Sequence, residues 1–216
     1  MSESTGKFIT VEGIEGVGKS TNIACIQSIL EQHDISVTIT REPGGTSLGE
    51  DIRGLLLGHK HDGMEDETEL MLMFAARNEH IASVIKPALA KGQWVICDRF
   101  TDATYAYQGA GRGIDMRRIS ELENWVQGTL RPDLTLLLDV PVAIGLQRAG
   151  ARAGKADRFE IQQQAFFERV RQCYLDRAQQ DKQQYHIIDA SLPLEAVQTQ
   201  LKAVLNDYLI MLRVNC

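Results

Sequence analysis

Short apolar runs alternate along this chain with longer segments in which apolar residues recur every three or four positions. The short runs are rich in β-branched residues and predict five buried strands, at residues 7–12, 37–40, 94–97, 134–139 and 185–188. The longer segments predict helices that cover these strands. This alternation is typical of an α/β fold, and it predicts a five-stranded parallel sheet covered by helices on both faces.

Two of the predicted helices have boundaries or faces that the sequence specifies in some detail. One places Leu48, Ile52 and Leu55 on a shared face, and a longer one is expected to begin near Thr68 and to run towards Pro87. Further helices are predicted around residues 23–30, 119–126, 166–173 and 194–208. No repeat or linker interrupts the series, so residues 1–216 are expected to form a single domain.

Composition narrows the class of protein. The formal net charge of −6 argues against a nucleic-acid binder, because such proteins usually present a basic surface to the phosphates. No segment approaches the roughly 20 consecutive apolar residues of a membrane-spanning helix, so no membrane partner is expected. The cysteines are widely scattered, which favours reduced thiols and a cytoplasmic location; they are Cys25, Cys97, Cys173 and Cys216.

A glycine-rich segment follows the first predicted strand, where residues 13–20 read G-I-E-G-V-G-K-S and match the pattern G-x-x-x-x-G-K-[ST]. Glycines let backbone N–H groups turn towards phosphate oxygens, and the next helix adds the positive end of its dipole. Lys19 is expected to reach the β- and γ-phosphates, and Ser20 to bind Mg²⁺. The motif predicts a P-loop NTPase fold with an ATP site formed by Gly13, Ile14, Glu15, Gly16, Val17, Gly18, Lys19 and Ser20.

A P-loop does not define a reaction, since switch GTPases, motor ATPases and small-molecule kinases all carry one. A guanine-reading Asn-Lys-x-Asp segment is absent from the sequence, which disfavours a GTPase. A nucleotide-binding regulator that hydrolyses slowly remains an alternative. A DNA-associated ATPase is a weaker one, because of the acidic charge.

Polar residues also follow the second and third predicted strands. Residues 41–45 read R-E-P-G-G, and Asp98 and Arg99 follow the third predicted strand. Ligands of open parallel sheets bind at the carboxyl ends of the strands. Asp98 is therefore expected near a metal ion and Arg99 near a phosphate, which an arginine can bind with two parallel hydrogen bonds.

These motifs, together with A-Y-Q-G at residues 106–109 and R-P-D at residues 131–133, resemble those of thymidylate kinases of the bacterial kind. The resemblance runs from the first strand to the last helix. It implies transfer of the γ-phosphoryl group of ATP to dTMP, giving dTDP and ADP, with Mg²⁺ as cofactor and a homodimer as the assembly. The alternative among enzymes is a kinase for another (deoxy)nucleoside or its monophosphate on the same fold.

The resemblance also implies roles for individual residues. Glu15 would meet the 3′-hydroxyl of dTMP, and Arg99 would hold its 5′-phosphate. Arg77 and Thr104 would hydrogen-bond the edge of thymine, and Tyr107 would press against the sugar where a 2′-hydroxyl would project. Other residues expected to line the acceptor pocket are Arg41, Glu42, Pro43, Arg53 and Gln108.

The residue that stacks on the base has two candidates. Many relatives have an aromatic residue four positions before the arginine that matches Arg77, and in this chain that position is Met73, followed by Phe74. Either Met73 packs on thymine, or a slight rotation of the helix presents Phe74 instead. Both side chains also suit the core of a helix, so the sequence leaves the choice open.

Three arginines border or lie within a segment rich in glycine and alanine; they are Arg148, Arg152 and Arg158. Residues 148–160 are expected to form a lid that closes over the triphosphate and excludes water. By the resemblance, a catalytic arginine comes either from the P-loop or from the lid, and no arginine lies between Gly13 and Lys19. The expected order is therefore Arg152, then Arg158, then Arg148, with Lys19 and Arg99 as the other catalytic residues.

Overall fold

The computed structural model describes residues 6–61, 63–151 and 163–214. Its strands are β1 (Phe8–Glu12), β2 (Val37–Arg41), β3 (Trp94–Asp98), β4 (Leu134–Asp139) and β5 (Tyr185–Asp189). They form one sheet in the order β2-β3-β1-β4-β5, and every neighbouring pair is parallel. The predicted five-stranded parallel sheet is confirmed, with four strands differing from their predicted bounds by one residue at one end.

Helices connect the strands and cover them. Those of the described residues are α1 (Lys19–Glu31), α2 (Ser47–Leu57), α3 (Asp66–His80), α4 (Lys86–Ala90), α5 (Thr101–Thr104), α6 (Met116–Gln127), α7 (Val142–Gly150), α8 (Gln164–Gln180) and α9 (Leu194–Val214). Two π-helical turns, Ile81–Ile85 and Tyr105–Gly111, follow α3 and α5 directly. No helix in these ranges is long and apolar enough to cross a membrane.

The long helix predicted to begin near Thr68 and to run towards Pro87 begins at Asp66 in the structure. After His80, the π-helical turn leads into α4, and Pro87 lies in the first turn of that helix. A proline is tolerated at this position because the first N–H groups of a helix have no intrahelical acceptor. The helical path therefore extends to Ala90.

The face predicted for α2 was wrong. The structure buries Gly49, Ile52 and Leu56, and leaves Leu48 and Leu55 exposed. Both sets have helical spacing, so the pattern alone could not choose between them. The packing of α2 on α3 decides, since Ile52 and Leu56 share an apolar cluster with a residue of α3.

Side chains of the central strand β1 are buried on both faces of the sheet. Ile9 and Val11 belong to a large core that includes residues of α1, whereas Phe8 packs with Ile81 and Ile85. All five are at most 2% exposed. This two-sided burial is what a parallel sheet covered on both faces requires.

The strand register brings the carboxyl-terminal ends of β1, β2 and β3 together. Asp98 of β3 lies opposite Arg41 of β2 and opposite Val11 of β1. The loops that follow these strands therefore meet at one edge of the sheet, where the P-loop follows Glu12.

Candidate active site

A cavity of about 500 Å³ lies at this edge of the sheet. On one side it is lined by Glu15, Gly16, Gly18, Lys19, Ser20 and Thr21. On the other sides it is lined by residues predicted for the acceptor and the metal, together with a few neighbours: Arg41, Glu42, Pro43, Arg53, Leu57, Met73, Arg77, Asp98, Arg99, Phe100, Ala103, Thr104, Tyr107, Gln108 and Arg148. Most of the residues singled out from the sequence are thus brought to one place.

The P-loop requires its glycines. Gly13, Gly16 and Gly18 have φ angles of 135°, 75° and 85°, which side chains other than glycine rarely adopt. A Cβ atom on Gly16 would also lie 1.9 Å from the carbonyl oxygen of Gly145. Ile14 and Val17, predicted from the motif, place their side chains in the core, so only their backbone is available to a phosphate.

Lys19 is the first residue of α1, and its ammonium group lies over the loop that precedes it. Nζ donates to the carbonyl oxygens of Gly13 and Ile14, both at 3.3 Å, and lies 4.0 Å from Oδ1 of Asp98. Burial, together with the positive charge of Arg99, lowers the pKa of Lys19 to about 8. A buried ammonium of this kind is stabilised by the approach of an anion such as a triphosphate.

Arg99 lies in a strained turn after β3. Its φ angle is 67°, and its backbone N–H donates to the carbonyl oxygen of Val11 at 3.0 Å. The next N–H, of Phe100, donates to Oε1 of Glu12 at 2.6 Å, and Oε2 of Glu12 accepts from the hydroxyl of Tyr174 at 2.9 Å. Burial, reinforced by the charge of Asp102, raises the pKa of Glu12 to about 8.

The guanidinium of Arg99 meets the P-loop through a carboxylate. Its Nη2 donates to Oε1 of Glu15 at 2.8 Å, and its central carbon lies 4.8 Å from the centre of the Tyr107 ring. Guanidinium and ring therefore also make a cation–π contact. Arg99, Glu15 and Tyr107 enclose one part of the cavity.

Arg77 is 2% exposed, and protein groups accept from three of its five N–H donors. Nε donates to Oε2 of Glu42 at 2.7 Å, and Nη2 donates to the hydroxyl of Thr104 at 2.9 Å and to the carbonyl oxygen of Phe100 at 3.1 Å. Nη1 is buried and has no hydrogen-bond partner among the described residues. A buried donor without a partner in a cavity wall suits an acceptor on a ligand, since leaving it unpaired is costly.

The two candidates for base stacking occupy different places. Met73 lines the cavity, whereas Phe74 is 2% exposed and packs in the core, where its ring centre lies 4.8 Å from the guanidinium carbon of Arg77. Of the two, Met73 therefore lines the cavity, and Phe74 packs against the guanidinium of Arg77.

Comparisons with known proteins decide the family. The sequence model described as "Thymidylate kinase" matches residues 11–201. The thymidylate kinase of Pseudomonas putida is 58% identical over 201 residues, covering 93% of this chain and 95% of that protein. The thymidylate kinase of Pseudomonas savastanoi is 56% identical over 205 residues, covering 95% and 97%. A crystal structure of thymidylate kinase from Ehrlichia chaffeensis superposes with a TM-score of 0.76 at 34% identity, covering 93% and 99%.

The chain belongs to the thymidylate kinase family. It is a phosphotransferase that uses ATP to phosphorylate dTMP to dTDP. The resemblance stated from the sequence motifs is thereby confirmed, as is the P-loop NTPase fold.

The thymidylate kinase fold places the remaining candidates at the rim of the cavity. Arg53 donates from Nη1 to the carbonyl oxygen of Pro43 at 2.9 Å, and Arg41 forms an ion pair with Glu50 at 2.9 Å. Arg148 donates to the carbonyl oxygens of Ala190 and Ser191, after β5. Two predicted lid residues of this kinase, Arg152 and Arg158, lie outside the described residues.

A magnesium ion suits the carboxylate at the end of β3. Oδ1 of Asp98 is buried and has no hydrogen-bond partner among the described residues. An oxygen of this kind is the ligand type that a hard divalent cation prefers. Ser20 lines the same cavity, so the two residues predicted as metal ligands are compatible with the ion.

Two buried acids and a histidine that hold the site residues of this thymidylate kinase were not among the residues predicted from the sequence. Glu12 supports the Arg99 turn, Glu69 accepts from Nε2 of Gln108 at 2.9 Å, and His80 donates to Glu42. All three are 0% exposed. The available signal was a charged or polar residue at a core position of an otherwise apolar strand or helix, since such residues are rarely buried unless they are paired.

Proposed function

We propose that the enzyme transfers the γ-phosphoryl group of Mg²⁺-bound ATP to dTMP in the cavity at the carboxyl ends of β1, β2 and β3. The observation that carries this proposal is that P-loop residues and the acceptor candidates Arg99 and Arg77 line one cavity. Donor and acceptor phosphates can therefore meet without a large movement of the sheet.

The P-loop holds the donor. Backbone N–H groups of residues 13–20 and the positive end of the α1 dipole face the phosphates, and Lys19 neutralises the transferred group. Ser20 and Asp98, which line the same cavity, would hold Mg²⁺. When bound, the ion neutralises charge on the β- and γ-phosphates.

Arg99 holds the 5′-phosphate of dTMP. Its guanidinium is already bound on one side by Glu15, which fixes its direction. Glu15 in turn reaches the 3′-hydroxyl of the sugar, and the ring of Tyr107 excludes a 2′-hydroxyl. The acceptor is a phosphate anion, so catalysis rests on positioning and on charge neutralisation and needs no general base.

Arg77 and Thr104 read the base. The unpaired Nη1 of Arg77 donates to the 4-carbonyl oxygen of thymine, and the Thr104 hydroxyl, which accepts from Arg77, can donate its own proton to the ligand. Met73 packs on the face of the base, since it lines the cavity where Phe74 does not. Glu42, Pro43, Arg41, Arg53 and Gln108 shape the remaining wall.

The lid supplies the catalytic arginine, in the order Arg152, then Arg158, then Arg148. Residues 148–160 belong to the same single domain as the rest of the chain in this proposal. Arg152→Ala should lower kcat more than it raises KM, because the contact forms mainly in the transition state. A change in KM alone would remove Arg152 from this role.

We also propose a homodimer in the cytoplasm. Large apolar side chains are exposed on three helices that pack side by side, with Leu48 and Leu55 on α2, Met71 on α3 and Trp125 on α6. In this proposal a second copy buries these side chains, because large apolar groups exposed on neighbouring helices are typical of an interface. Light scattering should give twice the monomer mass, and Met71→Glu should shift that mass towards the monomer. The three described cysteines are free thiols, which suits a reducing compartment.

The test of the proposed function is a coupled assay of ADP release with each nucleoside monophosphate offered separately. A strong preference for dTMP over dCMP, dGMP and UMP is expected. Faster transfer to another acceptor would favour the alternative kinase and would reject the base-reading assignments. The absence of transfer to any acceptor, despite tight ATP binding, would favour a regulator.

Arg99→Ala tests the phosphate clamp in the same assay. The rate of phosphoryl transfer should fall by about 100-fold or more, because the charge-assisted hydrogen bonds from Arg99 to the 5′-phosphate of dTMP are lost. The affinity for ATP should stay nearly unchanged. Arg99→Lys is the matched control, which keeps the charge but not the two-pronged geometry. Unchanged turnover in Arg99→Ala would reject the assignment.

A further inference from the structure

A buried series of hydrogen-bonded side chains connects Arg77, the arginine proposed to read the base, with Thr40 of β2. Oε2 of Glu42 accepts from Nε of Arg77 at 2.7 Å, and Oε1 of Glu42 lies 2.9 Å from Nδ1 of His80. Nε2 of His80 lies 2.6 Å from the hydroxyl oxygen of Thr40. His80 is 0% exposed and Glu42 is 6% exposed, so water has little access to compete for these bonds.

The donor in each of these hydrogen bonds follows from the chemistry of the groups involved. A Glu42 carboxylate paired with a guanidinium has no proton to give, so Nδ1 of His80 must donate to it. In the neutral imidazole the other nitrogen is then an acceptor, and the Thr40 hydroxyl donates to Nε2. Each oxygen of Glu42 is therefore held by a different donor, and both donors come from α3.

The spacing along α3 makes this arrangement rigid. Arg77 and His80 are three positions apart and share one face of α3. Each of them can therefore bind one of the two carboxylate oxygens of Glu42. The His80 ring has little room to turn, because a Cβ atom on Gly45 would lie 2.7 Å from it. Nε and Nη2 of Arg77 are held by protein acceptors, which leaves Nη1 as the nitrogen without a partner among the described residues.

We propose that His80 is a specificity-determining positioning residue, which holds Glu42 so that Arg77 presents Nη1, its remaining donor nitrogen, to the 4 position of the pyrimidine. The proposal rests on the base-reading role of Arg77 given above. A fixed donor binds the 4-carbonyl of thymine, whereas the 4-amino group of cytosine would face it with another donor. Without His80, Glu42 gains freedom to turn, Arg77 turns with it, and the discrimination against cytosine falls.

The paired variants are His80→Asn and His80→Leu, which both replace the ring with a side chain branched at Cγ and differ in their hydrogen bonding. The amide nitrogen of asparagine can occupy the place of Nδ1 and donate to Glu42, whereas leucine cannot. Values of kcat/KM are measured for dTMP, dCMP and dUMP in both variants and in the unmodified enzyme. The thermal unfolding temperature of each variant confirms that it is folded under the assay conditions.

His80→Leu should lower the dTMP-to-dCMP ratio of kcat/KM about tenfold, the value of one hydrogen bond to a charged group. His80→Asn should keep that ratio within about threefold of the unmodified enzyme. The dTMP-to-dUMP ratio should stay unchanged in both, because dUMP keeps the 4-carbonyl and lacks only the methyl group. An unchanged dTMP-to-dCMP ratio in His80→Leu, equal losses in both variants, or a parallel change in the dUMP ratio would overturn the proposal.

Arg77→Gln separates this proposal from the one on which it rests. If Arg77→Gln leaves the discrimination against dCMP intact, then Arg77 does not read the base and both proposals fall. If Arg77→Gln abolishes the discrimination while His80→Leu preserves it, the base-reading role stands and only the role of His80 is rejected.

Discussion

The hydroxyl of Tyr107 donates to the carboxylate of Glu15, at 2.7 Å to Oε2 and at 2.8 Å to Oε1. Glu15 belongs to the P-loop, and Tyr107 lies in the π-helical turn after α5. The same carboxylate accepts from Arg99. The donor and acceptor sides of the cavity are thus joined through one side chain.

Substituting Tyr107 separates the two contributions of its side chain. Tyr107→Phe removes the hydrogen bond to Glu15 and keeps the ring beside Arg99. We expect KM for dTMP to rise about tenfold, the value of one hydrogen bond to a charged group, while discrimination against the ribonucleotide stays intact. Tyr107→Ala should lose that discrimination as well. Kinetics with dTMP and its ribose counterpart provide the measurement, and equal discrimination in both variants would contradict the role of the ring.

Met73 and Phe74 are adjacent and yet should respond to substitution in different ways. Met73→Ala should raise KM for dTMP with a small loss of stability, because Met73 lines the cavity. Phe74→Ala should instead lower the free energy of unfolding by about 3–5 kcal/mol, since it opens a cavity in the core. Steady-state kinetics and urea unfolding of both variants give the comparison. Met73→Leu, which keeps the volume, is the control and should behave like the unmodified enzyme.

The sheet and the P-loop could be predicted because local patterns encode them. Strand runs such as residues 134–139 are short and apolar, and the G-x-x-x-x-G-K-S motif places its glycines where positive φ angles are needed. The buried face of α2 could not be predicted, because Leu55 and Leu56 fit helical spacing equally well until α3 is packed against them. The contacts of His80 with Glu42 and of Glu12 with Phe100 could not be predicted either, because they join residues that are 38 and 88 positions apart in the sequence.

ATP affinity should depend on pH through Lys19. Burial holds the pKa of this ammonium at about 8, below the ordinary 10.5, so the free enzyme loses the proton as the pH rises through 8. Phosphate anions favour the charged form, and ATP binding should therefore take up a proton above pH 8 and none near pH 6.5. Calorimetry in buffers of different ionisation enthalpy measures this uptake. Lys19→Arg, whose side chain does not titrate in this range, should show none.

The stability of the fold should depend on pH through Glu12. Burial raises the pKa of this carboxyl from 4.5 to about 8, so its contribution to stability is fully present below pH 4.5 and is lost as the pH rises through 8. Glu12→Gln removes the titration and keeps an oxygen that can accept from the N–H of Phe100. Relative to the unmodified enzyme, the variant should gain a few kcal/mol between pH 5 and pH 8.5, at about 1.4 kcal/mol per unit of pKa shift.

Urea unfolding of both proteins at the two pH values measures that gain for Glu12→Gln. Tyr174→Phe is the control for the hydrogen bond to the other oxygen, and it leaves the carboxyl free to titrate. A difference between Glu12→Gln and the unmodified enzyme that is the same at pH 5 and pH 8.5 would show that Glu12 is ionised throughout this range. In that case the turn at Arg99 would be held by a carboxylate at every pH, and the cost of burying that charge would have to be offset by Arg99 itself.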